Sequence, residues 1–442
     1  MWLYRYRWVW LWTAGVRALA RVAKRYPQTA YAGFVWSLQA EWTYLLRVSE
    51  RAGPLLAPVE EAIRGEFLPA LLGRQVVLDD DQRVLMSLAA KHGGLGIRNP
   101  VAAAESLQKA SEQASRVLVD ALMGDAELDL VEHAKCVRWA RTGAQGERRE
   151  REEAFLADYG RRKGPKVAKR LRRLMDGSAW LTRVPSRLDG TQLTKLEWHD
   201  VVSLRYGFRP AGLIQQCDGC GANFSVGHAL SCKKGGLIGW RHNDTRDEWA
   251  WLCSKALPPS HVSTEPLIND GARAGARAGP TGEAAAANSG ADAGAEWRGD
   301  VSARSFWRGR RRAIFDVRIT DTDAPSYGNR STEKILAAHE KEKDDRYGIA
   351  CRVQQKDFTP LVYSVDGMPG KQARSAERRL AQILAAKWGR QYSDVVNFVR
   401  CRMSLSVVRS ISLVLRTERQ TLPWVRRAPD ASEAAFVGRV LD

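Results

Sequence analysis

Cys217, Cys220, His228 and Cys232 fall at C-x2-C-x7-H-x3-C spacing. Three thiols and an imidazole at such intervals can hold a tetrahedral Zn2+. Two cysteines separated by two residues reach one ion from a tight turn, here made by Asp218–Gly219. His228 and Cys232, four apart, share one face of a helical turn and close the tetrahedron. Four protein ligands leave no open position, so the expected zinc is structural and not catalytic. Three free thiols beside a surface histidine is the competing reading. Confinement of the whole set to 217–232, with glycine at the turns, favours the metal.

A second group has the residue types for phosphodiester chemistry. Asp300 opens the strand-like run 300–304, and Asp316 ends the apolar run Ala313–Ile314–Phe315. If those strands pair, the two carboxylates meet at one sheet edge. Hard oxygen ligands so placed suit Mg2+, which polarises a phosphodiester and activates a water. Glu265, in Ser263–Thr264–Glu265–Pro266, is an accessory third acid. Ordinary strand-end and turn acids explain the same pattern, and spacing alone leaves the two readings even. The expected helix Thr332–Tyr347 adds weight. Its Leu336, His339, Lys343 and Tyr347 are three, four and four apart and share a face. Lys343 would then point at the sheet and hold the scissile phosphate or the attacking water. The alternative is a lysine that snorkels over apolar surface.

The elements that must position these residues follow from periodicity. Residues 14–50 read as helices, with Val16, Leu19, Val22 and Ala23, then Phe34, Leu38 and Trp42, at helical spacing. A helical block from Pro58 ends near Leu72–Gly73. Asp79–Asp80–Asp81 opens another helix, and Gly93–Gly94–Leu95–Gly96–Ile97 is a glycine-rich turn without the ending of a phosphate loop. Residues 141–175 are strongly basic, with Arg161, Arg162, Lys163 and Arg170 among them. They read as a cationic helix or linker with too few apolar positions for a core, either solvated or touching phosphate. A helix from Asp244 or Arg246 to Leu257 follows the zinc segment, then a strand over Val262–Ile268. The Ala/Gly/Asp-rich stretch 269–296 reads as a flexible insert. Further strands are expected at 300–304, 313–320 and 358–365, and helices at 371–388 and 392–417. Helix, three strands, helix and strand in that order imply a small mixed sheet.

Composition bounds the partners. The chain has 442 residues, 69 Lys and Arg against 50 Asp and Glu, and a formal charge of +19. That excess points to nucleic acid, with a generally solvated basic surface as the alternative. Seven cysteines over this length do not make a disulfide framework, so the thiols are read as reduced and intracellular. The Trp-rich first twelve residues carry Arg5 and Arg7, and no apolar run of about eighteen residues occurs, so no membrane span is expected.

Residues 217–365 resemble the end of the open reading frame of non-long-terminal-repeat retrotransposons that carry a restriction-enzyme-like endonuclease. There a cysteine–histidine knuckle precedes an Arg-His-Asn motif and a PD-(D/E)XK-type core. Here stand Cys217 to Cys232, Arg241–His242–Asn243, and Asp300 with Asp316. The family's Pro-Asp is Gly299–Asp300. Arg318 stands where many nucleases of the superfamily have Lys, and Lys343 with Tyr347 match the helix-borne lysine and tyrosine of the retrotransposon branch. Tyr31–Ala32–Gly33–Phe34, Phe67–Leu68–Pro69–Ala70 and Leu204–Arg205–Tyr206–Gly207 are similar to segments between the polymerase palm and the knuckle. The paired polymerase aspartates have no counterpart, since Leu78–Asp79–Asp80–Asp81 opens a helix.

The expected fold class is α+β or mixed: a helical N-terminal part, a zinc knuckle, a small α/β PD-(D/E)XK-like domain and C-terminal helices. The expected divisions are a thumb-like helical part at 14–140, a basic linker or helix at 141–176, and a pre-knuckle and knuckle segment at 177–240. A nuclease core at 241–370, C-terminal helices at 371–420 and a tail at 421–442 complete the chain. The resemblance implies a metal-dependent DNA endonuclease, with structural Zn2+ and catalytic Mg2+, that nicks target DNA for reverse transcription by a polymerase from another element protein. Arg241, His242, Asn243, Arg318 and Tyr347, with Arg161, Arg162, Lys163 and Arg170, are the expected nucleic-acid contacts. Element RNA is a second expected partner, and the nucleus the implied compartment. The rival is a catalytically inactive, zinc-dependent nucleic-acid-binding fragment of a decayed element.

Overall fold

A computed structural model of the chain describes residues 2–74, 76–124, 127–269 and 297–419. These fall into two compact units that divide at Gly212–Leu213. The expected insert, apart from Asn269, and the expected tail lie outside the described residues. No helix among the described residues is long and apolar enough to cross a membrane.

The first unit is helical: α1 (Trp2–Ala23), α2 (Pro27–Gly33), α3 (Gln39–Val48), α4 (Ala57–Ala62), α5 (Leu68–Leu72), α6 (Asp80–Ser87), α7 (Pro100–Met123), α8 (Leu130–Lys163), α9 (Pro165–Gly177) and α10 (Lys195–Tyr206). Starts and stops follow local chemistry. Asp79 with Gln82, and Thr194 with Glu197, form capping boxes, while Gly73 ends α5 at φ 65°. Its core stacks Phe34 on Phe67 at 4.7 Å and sets Trp180 edge-on to Trp198 at 5.6 Å. Full burial of such rings stabilises by roughly 1.5–3 kcal/mol each.

The basic stretch differs from expectation. It is helical on both sides of Gly164, and Tyr159 and Leu171 are buried in a cluster with Leu85 and Leu88. Spaced apolar residues on amphipathic α9 thus contribute to a core, which a count of charges concealed.

The second unit is mixed and mostly helical: α11 (Val226–Ser231), α12 (Leu237–Ala256), α13 (Thr332–Val353), α14 (Lys371–Trp388) and α15 (Tyr392–Arg416) surround a small sheet. The strands are β1 (Val262–Thr264), β2 (Leu267–Asn269), β3 (Trp297–Arg298), β4 (Val301–Arg304), β5 (Arg312–Thr320) and β6 (Asp357–Ser364). Four of them make a sheet of order β1-β4-β5-β6, and β2 pairs with β3 separately. β4–β5 is antiparallel, whereas β5–β6 is parallel and takes α13 as its crossover.

Alternation along β5 gives the sheet two covered faces. Phe315 meets Trp249 of α12 at 5.2 Å on one, and Ile314 joins Ile268, Tyr347 and Cys351 beneath α13 on the other.

Three expectations are corrected here. The single strand over Val262–Ile268 is two strands in different sheets, because Glu265 takes φ 52° and turns the chain before Pro266. The helix after the zinc segment starts at Leu237, not at Asp244 or Arg246, so Arg241–His242–Asn243 is helical. Asp316 lies inside β5, an interior strand, and not at a sheet edge.

Candidate active site and metal centre

The cysteine–histidine segment folds into a short hairpin and one helical turn. Gln216 bridges to Asn223, Cys217 N donates to Ala222 O at 2.8 Å, and Gly221 N returns a bond to Cys217 O at 2.8 Å. Gly221, at φ 72°, supplies the left-handed corner of this knuckle. Ser225 Oγ then accepts from His228 N at 3.0 Å and starts α11, whose end delivers Cys232. One ligand atom from each of Cys217, Cys220, His228 and Cys232 lies within 4.8 Å of the other three. Cys220 Sγ is 3.4 Å from His228 Nε2, and Cys217 Sγ is 3.9 Å from Cys232 Sγ. This Cys3His cluster is compatible with zinc. Burial works against ionising the Cys217 thiol. Hydrogen bonding from His228 and from the Gly219 and Cys220 backbone outweighs it, and its pKa falls to about 6.

The knuckle is tied to the end of the C-terminal helix. Arg419 N donates to Asp218 Oδ2, and its guanidinium lies over the Phe224 ring at 5.0 Å. A Cβ on Gly219 would stand 2.9 Å from the Cβ atoms of both Arg419 and Lys234, so close approach requires glycine there.

The acids converge through strand register. Val301 pairs with Phe315, and Asp300, one residue before β4, donates its N–H to Phe315 O at 2.9 Å, which holds it beside the segment that carries Asp316. Asp300 is held at both oxygens: Oδ2 accepts from Val317 N at 2.5 Å, and Oδ1 lies 2.9 Å from His242 Nε2. Lys343 Nζ pairs with Asp316 Oδ2 at 2.5 Å. Burial, and then the neighbouring Asp300 charge, push the Asp316 carboxyl above its ordinary value, against Lys343 and His242.

Other expected residues take different positions. Glu265 follows Asp300 through its backbone, its N donating to Asp300 O at 2.9 Å, but its carboxylate pairs with Arg246 at 2.8 Å and is exposed. Arg241 is buried, with Nη1 and Nη2 each 3.4 Å from the carbonyls of Leu230 and Ile319, so it joins the knuckle helix to β5. Asn243 is half-buried on α12. Arg318 pairs with Glu342 at 2.7 Å. Tyr347 is buried edge-on to Trp297 at 5.9 Å, with Lys343 Nζ 5.7 Å above its ring.

Arg161, Arg162, Lys163 and Arg170 belong to the first unit. Arg161 and Arg162 each pair with Asp158 at 2.6 Å, Arg162 reaches Asp81 at 2.7 Å, and Lys163 reaches Asp79 at 3.5 Å. Sequence reasoning missed Arg246. The signal was available once the helix is known to begin at Leu237, because His242 and Arg246 are four apart and share a face.

No protein-family model matches this chain, and no curated protein matches it.

Proposed function

We propose that this chain is a divalent-metal-dependent DNA endonuclease with a PD-(D/E)XK-like core, stapled by a structural zinc knuckle. The observation that carries the reading is the gathering of Asp300, Asp316 and Lys343 at the start of the β4–β5 pair: Lys343 Nζ lies 2.5 Å from Asp316, and Asp300 is bonded to the Val317 N–H next to it. Asp300 and Asp316 would hold Mg2+; two carboxylates crowded enough that one raises the other's pKa are a fitting set of hard donors. Cys217, Cys220, His228 and Cys232 would hold Zn2+, and their donor chemistry fits it. When bound, the magnesium ion polarises the scissile phosphate and lowers the pKa of a water.

The side chains divide the remaining tasks. Val317 N–H and His242 fix the Asp300 carboxylate, so its orientation costs nothing at the moment of reaction. Lys343 exchanges Asp316 for a nonbridging phosphate oxygen and neutralises the charge that develops there. Attack by water breaks the P–O3′ bond and leaves a 5′ phosphate and a 3′ hydroxyl. The resemblance of residues 217–365 to nuclease-bearing retrotransposons suggests that this hydroxyl primes reverse transcription by a separately encoded polymerase, with a nuclear site of action.

Purified protein with Mg2+ is expected to convert supercoiled plasmid to open circles, and Asp316→Ala to leave it supercoiled. Equal nicking by both proteins sinks the assignment. A second reading, a zinc-dependent nucleic-acid-binding fragment without catalysis, is favoured by the ion pairs that already engage Asp316 and Glu265. Salt-sensitive DNA binding with no metal-dependent nicking by wild type distinguishes it.

A further inference from the structure

The turn between β4 and β5 carries five arginines: Arg304, Arg308, Arg310, Arg311 and Arg312. It is a built turn. Phe306 is fully buried, edge-on to Phe315 at 4.9 Å, and Trp307 Nε1 donates to Thr359 Oγ1 at 2.9 Å. Ser305 N donates to Arg311 O at 2.7 Å, and Arg311 itself is secured to Gln355 O at 3.1 Å and to Asp357 at 3.5 Å. The other four arginines are exposed, and no carboxylate among the described residues pairs with them. This contrasts with Arg161 and Arg162, which are neutralised by Asp158 and Asp81.

Two of the four face each other. Arg304 and Arg312 are cross-strand partners, an arrangement in which like charges destabilise the sheet. By alternation Arg312 lies on the same face of β5 as Asp316, four residues along the strand, or about 13 Å. That distance is about the rise of four nucleotides along one strand of duplex DNA.

We propose that Arg304, Arg308, Arg310 and Arg312 form a clamp for the phosphate backbone of duplex DNA, about four nucleotides from the position of the carboxylates. The choice of duplex DNA as partner rests on the endonuclease reading. The anion relieves the Arg304–Arg312 repulsion, and the buried Phe306 and the Trp307 bond keep the turn in place before the DNA arrives. Phosphate contacts of this kind set register on the duplex and carry no base preference.

The test measures binding of a DNA duplex to the full chain across a salt series, without added divalent metal, so that cleavage plays no part. Arg304→Gln, Arg308→Gln, Arg310→Gln and Arg312→Gln combined are expected to make the slope of log K against log salt shallower by about two to four. The corresponding four Arg→Lys substitutions are expected to keep most of the slope. Melting temperature is a second readout: Arg304→Gln with Arg312→Gln is expected to hold or raise it while binding weakens, whereas a structural role predicts a fall. An unchanged slope in the quadruple Gln variant overturns the clamp. So does an equal loss per charge from Lys334→Gln with Lys341→Gln, two exposed lysines of α13, or absence of duplex binding by the wild type. A wild type that binds through these arginines yet never nicks removes the endonuclease reading and leaves the clamp standing.

Discussion

His242 Nε2 lies 2.9 Å from Asp300 Oδ1, so a residue of α12 orients a carboxylate at the head of β4. The contact joins the helix that follows the knuckle to the acid pair. Supporting partners of metal-binding carboxylates are worth about 10- to 100-fold in metal affinity. His242→Ala is therefore expected to raise the Mg2+ concentration for half-maximal nicking by that factor, while His242→Gln, which keeps a donor, recovers part of it. A Mg2+ titration identical in His242→Ala and wild type removes this role.

Loss of the charge partner at the other acid should act on rate. Lys343→Ala is expected to lower nicking about 10²- to 10³-fold, the size of effect seen when one donor to a developing charge is removed. Single-turnover rates at saturating DNA and Mg2+ test this, and a rate within twofold of wild type contradicts it.

The knuckle should hold one zinc per chain, measured by elemental analysis of the purified protein. Cys217→Ser and Cys220→Ser are each expected to lose it. Cys253→Ser and Cys401→Ser, whose thiols are buried away from the cluster, are expected to retain it. Because zinc affinity becomes folding free energy, the zinc-losing variants should also melt at lower temperature. Full zinc content in Cys220→Ser would falsify the ligand assignment.

Stability should decline as pH rises, through Glu377. Its carboxyl is buried and accepts from Tyr363 Oη at 3.0 Å. Burial raises its pKa from 4.5 to about 7, against the Tyr363 bond and nearby arginines. The folded state then binds more protons than the unfolded state between those values, so stability present below about pH 4.5 is lost progressively up to about pH 7. The whole effect is on the order of 3 kcal/mol. Denaturant unfolding from pH 5 to 8 should show this decline in wild type and a flatter profile in Glu377→Gln. Parallel profiles would exclude Glu377 as the source.

Gly299 occupies a position without room for a side chain. Its N–H donates to Pro266 O at 3.0 Å, and a Cβ there would lie 2.4 Å from Ile314 Cγ2. Gly299→Ala is expected to cost about 1–3 kcal/mol through overpacking, and Gly299→Pro more, since it also removes the donor. Chemical denaturation gives both values; a proline variant as stable as wild type refutes the account.

Local pattern determined much of this protein. The zinc-type spacing lies within 217–232, and a short loop can close on itself with few conformational alternatives, so the Cys3His cluster was legible from Cys217, Cys220, His228 and Cys232 alone. The face shared by Leu336, His339, Lys343 and Tyr347 was equally legible, because helical periodicity is a local property and α13 forms over Thr332–Val353. Tertiary structure decided which charges meet. Whether Asp300 lies beside Asp316 depends on the β4–β5 register, which brings Val301 to Phe315 and the Asp300 N–H to Phe315 O. Glu265 is claimed by Arg246 and Arg241 is buried rather than presented, while the pairing of β4 with β5 sets Arg304 opposite Arg312. Charge alone carries no direction. Only packing gives each side chain a partner or withholds one.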